Sequence, residues 1–112
     1  IAGYYLIKNL ISLKRVKKLN ILIMRIKLEL FGVCREFSKQ DYLDFNFETD
    51  IKIKDLRKEV EGFVNQNFPE NKNFIEMVKK SAFSSQANEI VDDNFKLDKS
   101  QTISIIPPIG GG

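Results

Sequence analysis

A chain of 112 residues that is 43% hydrophobic and 29% charged has the composition of one small globular domain and leaves no room for a second. It has no histidine and one cysteine, Cys34, which excludes an imidazole base and an internal disulfide; no metal site is expected, and a reducing, cytoplasmic setting is. The net charge of +3 is unevenly placed: five of the 18 basic residues (Lys8, Lys14, Arg15, Lys17, Lys18) and none of the 15 acidic ones lie in residues 1–23, so residues 24–112 sum to −2, which argues against a nucleic-acid footprint.

Residues 1–23 run apolar (Tyr4 to Ile7), basic, then apolar again (Ile21 to Ile23), an order opposite to that of a secretory signal, and no stretch is long enough to span a bilayer. A basic amphipathic helix at a membrane surface is one reading. The reading adopted is that Met24 is the true start and that 1–23 is an N-terminal extension outside the fold. No membrane partner is expected.

From Met24, Ile26, Leu28 and Leu30 alternate with Arg25, Lys27 and Glu29, the period of a half-buried strand. After Gly32 and a polar stretch, Leu43, Phe45 and Phe47 alternate with Asp44, Asn46 and Glu48 and predict a second strand in a hairpin-like pair. The period then changes: Leu56, Val60, Phe63 and Val64 share one helical face, predicting an amphipathic helix from about Ile53 to Gln66, ended by Pro69. Residues Phe74 to Val78 fit a short helix or a strand equally. Phe83 to Ala87 and Ile90–Val91 flank Asn88, which tolerates a left-handed turn, so a hairpin is expected there. Residues 92–101 read as a solvated loop, and the β-branched run Thr102 to Ile106 as a strand inside a sheet. The order ββαββ, with the helix crossing one face, predicts an α+β β-grasp fold over 24–108.

The ending Pro107-Pro108-Ile109-Gly110-Gly111-Gly112 carries the chemistry. The prolines lack N–H groups and fix φ, so the ladder must stop and the chain must leave extended. The residues after Pro108 reach at most roughly 13–14 Å, enough to enter a partner's pocket but not to fold as a unit. Glycines without Cβ atoms suit a narrow channel, and a terminal carboxylate, ionised at neutral pH, becomes an acyl donor only when activated, for instance as an acyl-adenylate. A frayed end or a cloning scar is the bland alternative.

The segment Arg25 to Phe37 (RIKLELFGVCREF) and the ending Ile103 to Gly112 (ISIIPPIGGG) resemble the small, sulfur-carrier subunit of molybdopterin synthase, of the ubiquitin-like β-grasp sulfur-carrier superfamily. The resemblance spans residues 24–112. Its most specific part is the proline pair ahead of the terminal glycines; Arg35-Glu36 is a weaker match, and Ala87 to Val91 is similar to a family turn in which glycine stands where this chain has Asn88. Two positions depart from the pattern. Lys99-Ser100-Gln101 replaces an Asp-Gly-Asp turn, which must change type or hold Ser100 at a strained φ, and Lys52 stands where a Thr helix cap is common.

The resemblance implies that a ubiquitin-activating-like adenylyltransferase uses ATP to adenylate Gly112 and that a sulfur donor then converts the adenylate to a thiocarboxylate. The tail (Pro107, Pro108, Gly110, Gly111) next enters the large subunit of a heterotetrameric molybdopterin synthase and gives dithiolene sulfur to cyclic pyranopterin monophosphate. The chain would bind no cofactor and hold no catalytic group beyond Gly112, acting as the sulfur-donor subunit of a sulfurtransferase. Phe31, Arg35 and Ile109 are the candidate partner contacts, although Phe31 and Phe37 also read as core, Arg35-Glu36 as a surface or intrachain pair, and Cys34 as a small buried hydrophobe rather than a sulfur-transfer group. Two other readings stay open: a related carrier of the thiamine pathway or ubiquitin-like modifier, which generally lacks the proline pair, and a non-covalent β-grasp binding module with an inert tail.

Overall fold

The structure is a computed structural model that describes residues 23–109; residues 1–22 of the extension 1–23 and the glycines 110–112 lie outside the described residues. Its sheet is mixed, ordered in space as β2 (Tyr42–Phe47), β1 (Met24–Leu30), β7 (Gln101–Ile106), β4 (Ala82–Ser84) and β5 (Ile90–Val91). Strand β1 (Met24–Leu30) pairs antiparallel with β2 (Tyr42–Phe47), placing Ile26 opposite Phe45 and Leu28 opposite Leu43. This register puts both apolar sets on one face, as the alternation requires. Strand β7 (Gln101–Ile106) lies between β1, parallel, and β4 (Ala82–Ser84), antiparallel, and its Ile103 and Ile105 are wholly buried. A parallel pair needs a crossover, and the chain from β2 to β7 supplies it.

That crossover begins with the short strand β3 (Ile51–Lys52) and helix α1 (Ile53–Asn67), which turns Ile53, Leu56, Val60 and Val64 onto the sheet without exposure. Phe63, expected on the same face, is only partly buried and meets Phe45 edge-on at 6.4 Å. Lys52 occupies the cap position without capping through its side chain. Half of the usual reciprocal cap survives instead, the Lys52 N–H donating to the Asp55 carboxylate at 2.9 Å. The next two N–H groups, of Ile53 and Lys54, donate to the carbonyls of Phe95 and Asp93 at 3.0 Å each, so chain from residues 93–95 closes the helix start.

Helix α2 (Lys72–Lys80) settles the ambiguous stretch: Phe74 and Val78, four apart, both face the core while Glu76 between them is exposed, whereas a strand would have put Glu76 on the same face as the two apolar residues. Phe74 joins Phe37 (5.1 Å) and Phe68 (5.2 Å) in edge-to-face contacts. Arg57 locks α2 to α1. Its guanidinium donates to the carbonyls of Val78 (2.8 Å), Lys79 (3.2 Å) and Ser81 (2.8 Å) and to Asp93 (2.8 Å), and lies 4.7 Å from the centre of the Phe83 ring. The carbonyls that a helix C-terminus leaves unpaired thereby gain a cationic donor.

The hairpin of β4 and β5 (Ile90–Val91) pairs Phe83 with Val91. Its first strand stops at Ser84, short of Ala87, because Ser85 to Glu89 form the turn: the Ser85 N–H donates to the Glu89 carbonyl at 2.8 Å, and Asn88 sits at φ 63°. Asparagine thus fills a left-handed position that favours glycine.

One expectation is corrected and one alternative is decided. Residues 92–101 are not simply a solvated loop: β6 (Lys96–Leu97) pairs with β3, and Leu97 is wholly buried. Ser100 carries no strain, since Asn88 and Gly32 hold the positive φ values among the described residues; its hydroxyl accepts the Arg25 N–H at 2.9 Å and ties the start of β7 to β1. The architecture is a β-grasp sheet holding one main helix. Among the described residues, no helix is long and apolar enough to cross a membrane.

Candidate functional site at the tail exit

The site is the end of β7. The strand is laddered on both sides until Leu30 stands beside Ile105 and Ala82 opposite Ile106, and there the prolines begin. Proline has no N–H to continue the ladder, so Pro107, Pro108 and Ile109 leave the sheet. Ile109 is 94% exposed, an isolated apolar side chain with no intrachain burial.

Beside the exit, β1 ends and the chain folds into a 3-10 helix, Gly32–Phe37. The polar-looking stretch after Gly32 is therefore structured, and it buries Cys34 and Phe37. Gly32 sits at φ 56°, and a Cβ built on it would lie 2.9 Å from Cγ of Pro107 and 3.5 Å from Cδ. Heavy atoms that are not bonded do not approach so closely, so the proline ring occupies room that glycine vacates. Sequence reasoning used Gly32 only as the end of a strand. Its one visible signal is a glycine directly after the strand that pairs with the tail-bearing one.

Cys34 is wholly buried beneath this turn, its N–H donating to the Phe31 carbonyl at 3.0 Å. Burial pushes its thiol up to about 11, opposed by a hydrogen bond with Ser81. At neutral pH it is protonated and shielded, the state of a packing residue and not of a sulfur nucleophile.

Phe31 and Phe37 part company. Phe37 is core, whereas Phe31 is 40% exposed and, with Arg35, lines a hollow against Lys27, Glu29 and Tyr42 on the open face of β1 and β2. Arg35 and Glu36 are both exposed and make no ion pair with each other or with any other described residue, so the intrachain pair is absent there. Pro107 and Pro108 line a second hollow of about 570 Å³, with Val33 from the 3-10 helix and Met77, Glu76 and Lys80 from α2. The structure thus brings Phe31 and Arg35 together on one side of the exit and the prolines and Val33 together on the other. Ile109 lines neither. The glycines 110, 111 and 112, the proposed reactive end, lie outside the described residues.

No protein-family model matches the chain, and no curated protein does. Solved structures share its fold. The HVO 2177 protein of Haloferax volcanii superposes with a TM-score of 0.58 at 21% identity, over 81% of this chain and 89% of that one. A putative molybdopterin converting factor, subunit 1, from Pyrococcus furiosus gives 0.57 at 14% identity, over 77% of this chain and 99% of its own. An N-terminal ubiquitin-like domain gives 0.52 at 12% identity, over 81% and 80%. At such identities the likeness is one of fold: the chain has the ubiquitin-like β-grasp architecture, the same architecture as the converting-factor subunit.

Proposed function

We propose that this chain is a sulfur carrier in molybdenum cofactor biosynthesis, with the carboxyl group of Gly112 as the loaded atom. The observation that carries the reading is that the central strand of the sheet, with Ile103 and Ile105 wholly buried, runs directly into Pro107–Pro108 and a tail of glycines, so the core of the fold presents a segment free of side chains. The fold shared with a putative molybdopterin converting factor subunit 1 supports it, as does the family resemblance of the proline pair.

In this reading the Gly112 carboxylate attacks the α-phosphorus of ATP in an adenylyltransferase of the ubiquitin-activating type, and pyrophosphate leaves. A sulfide equivalent from a sulfur donor attacks the acyl carbon and displaces AMP, leaving the thiocarboxylate. The tail then enters the large subunit of molybdopterin synthase, where the sulfur passes to cyclic pyranopterin monophosphate and water restores the carboxylate. ATP and the pterin are substrates held by partners in the cytoplasm. The chain's own residues supply an address and a reach. Phe31, Arg35 and Ile109, exposed around the exit, are the side chains offered to the partner.

The test is to remove Gly112 or to add one residue after it. Either change moves the reacting carbonyl by about 3.3–3.6 Å, far beyond what attack geometry tolerates. Circular dichroism and melting should stay as in the parent protein, while conversion of cyclic pyranopterin monophosphate with activating enzyme and large subunit is lost. Conversion at the native rate by either variant would end the reading. A Gly112 that is adenylated but joined to protein amines instead would move the chain to the ubiquitin-like modifiers, whose domains share the fold.

A further inference from the structure

We propose that Gly32 is the positioning residue of the tail: its missing Cβ forms the seat for the Pro107 ring, and that seat fixes the direction in which Pro107 to Ile109 leave the sheet. The inference rests on the proposed role of the tail for its consequence, but on geometry alone for its existence.

The parallel register of β1 and β7 pairs Leu28 with Ile103 and Leu30 with Ile105, so two further steps along both strands bring Gly32 abreast of Pro107. No ladder bond can form there. Pro107 has no N–H to give, and Gly32 has already turned to φ 56° to start the 3-10 helix. What holds the two chains together at that step is the ring against the bare Cα: an added Cβ would stand 2.9 Å from Cγ. The contact falls at the first residue beyond the ladder, where a small displacement is carried outward along two rigid prolines.

Two separate demands meet at Gly32, and the molecule itself separates them. Asn88 shows that this chain meets a left-handed φ with asparagine, at 63°. A left-handed φ alone would accept Asn at position 32; the close approach of Pro107 would not, because asparagine has a Cβ like any other residue.

The experiment compares Gly32→Asn, Pro107→Ala and the double variant G32N/P107A in the full chain. The first readout is the residual dipolar coupling of the Ile109 amide against those of the sheet amides, which reports the direction of the exit segment. The second is kcat/KM for adenylation of the C-terminus by the activating enzyme. Gly32→Asn should keep a cooperative melt, shift the Ile109 coupling while sheet couplings stay, and lower kcat/KM by about tenfold or more, since sub-ångström misplacement suffices. Removing Cγ and Cδ in the double variant should return both readouts to those of Pro107→Ala alone. A purely local strain at position 32 would lower the melting temperature without that rescue. An unchanged coupling and kcat/KM in Gly32→Asn, or a defect that persists in the double variant, overturns the proposal. Should Gly32→Asn fail to fold although the parent and Pro107→Ala fold, the rescue of folding by P107A becomes the deciding measurement, and its absence counts against the seat. A parent protein that is never adenylated would instead defeat the sulfur-carrier reading, with the Ile109 coupling still deciding the seat.

Discussion

Strand β7 has two ends of opposite character. At Ile103 and Ile105 it is the centre of the core, flanked by β1 and β4 and wholly buried; by Ile109, four residues beyond Ile105, the side chain is 94% exposed. The contrast teaches that stability and chemistry are laid end to end on one strand, with the Gly32 and Pro107 contact as the boundary. Changes on the core side should move melting and leave the tail's reaction intact in the folded fraction, and changes on the tail side should do the reverse.

The largest effect is expected from Ile103→Ala. It deletes a fully buried side chain between two strands and should lower the unfolding free energy by about 2–5 kcal/mol in urea denaturation. If the folded fraction of that variant lost tail adenylation as well, the division would be broken.

Arg57→Ala comes next, at about 2–3 kcal/mol, because it strips charged hydrogen bonds from the end of α2 and from Asp93 while leaving carbonyls part-buried. Arg57→Lys should recover little, since an ammonium cannot span several acceptors and cover the Phe83 ring as the planar fork does. Asn88→Ala should cost about 1 kcal/mol, with Asn88→Gly within about 0.5 kcal/mol of the parent, both read from thermal melts.

The effect that vanishes at neutral pH is a pH dependence. The Cys34 thiol is held up at about 11 when folded, against 9.0 for the free group. Its contribution is therefore complete below pH 9 and is lost as pH rises toward 11, because the unfolded thiol gives up its proton first. Urea midpoints of the parent protein should fall more steeply over that window than those of Cys34→Ala, and thiol reagents should label the folded protein slowly at pH 8.

Much of this molecule was legible in the sequence where one face is apolar at a fixed period. Ile26, Leu28 and Leu30 read as a half-buried strand, and Leu56, Val60, Phe63 and Val64, at i, i+4, i+7 and i+8, as a helix face. Leu97 was not legible, because a two-residue strand is too short for the alternation of Phe95 and Leu97 with Lys96 and Asp98 to stand out from a solvated loop. Helix α2 stayed ambiguous because Phe74 and Ile75 are adjacent, and only packing against Phe37 and Phe68 decides which of them turns inward. Phe31 and Phe37 looked alike for the same reason: the turn of a 3-10 helix, invisible in hydropathy, sends one in and the other out. At the candidate site the prolines announced themselves, whereas Gly32 did not, since what makes it matter is a neighbour distant in sequence and close only through the parallel pairing of β1 with β7.

That parallel pairing also has a consequence for biogenesis. The middle strand of the sheet is contributed by residues 101–106, the last strand in chain order, so on a ribosome every other strand emerges before the one that joins them. Until β7 arrives, β1 with β2 and β4 with β5 are separate hairpins with an unfilled slot between them, and closure waits on contacts of long sequence separation. Partners that recognise the closed sheet would therefore meet only chains in which the strand joining the two hairpins is already in place.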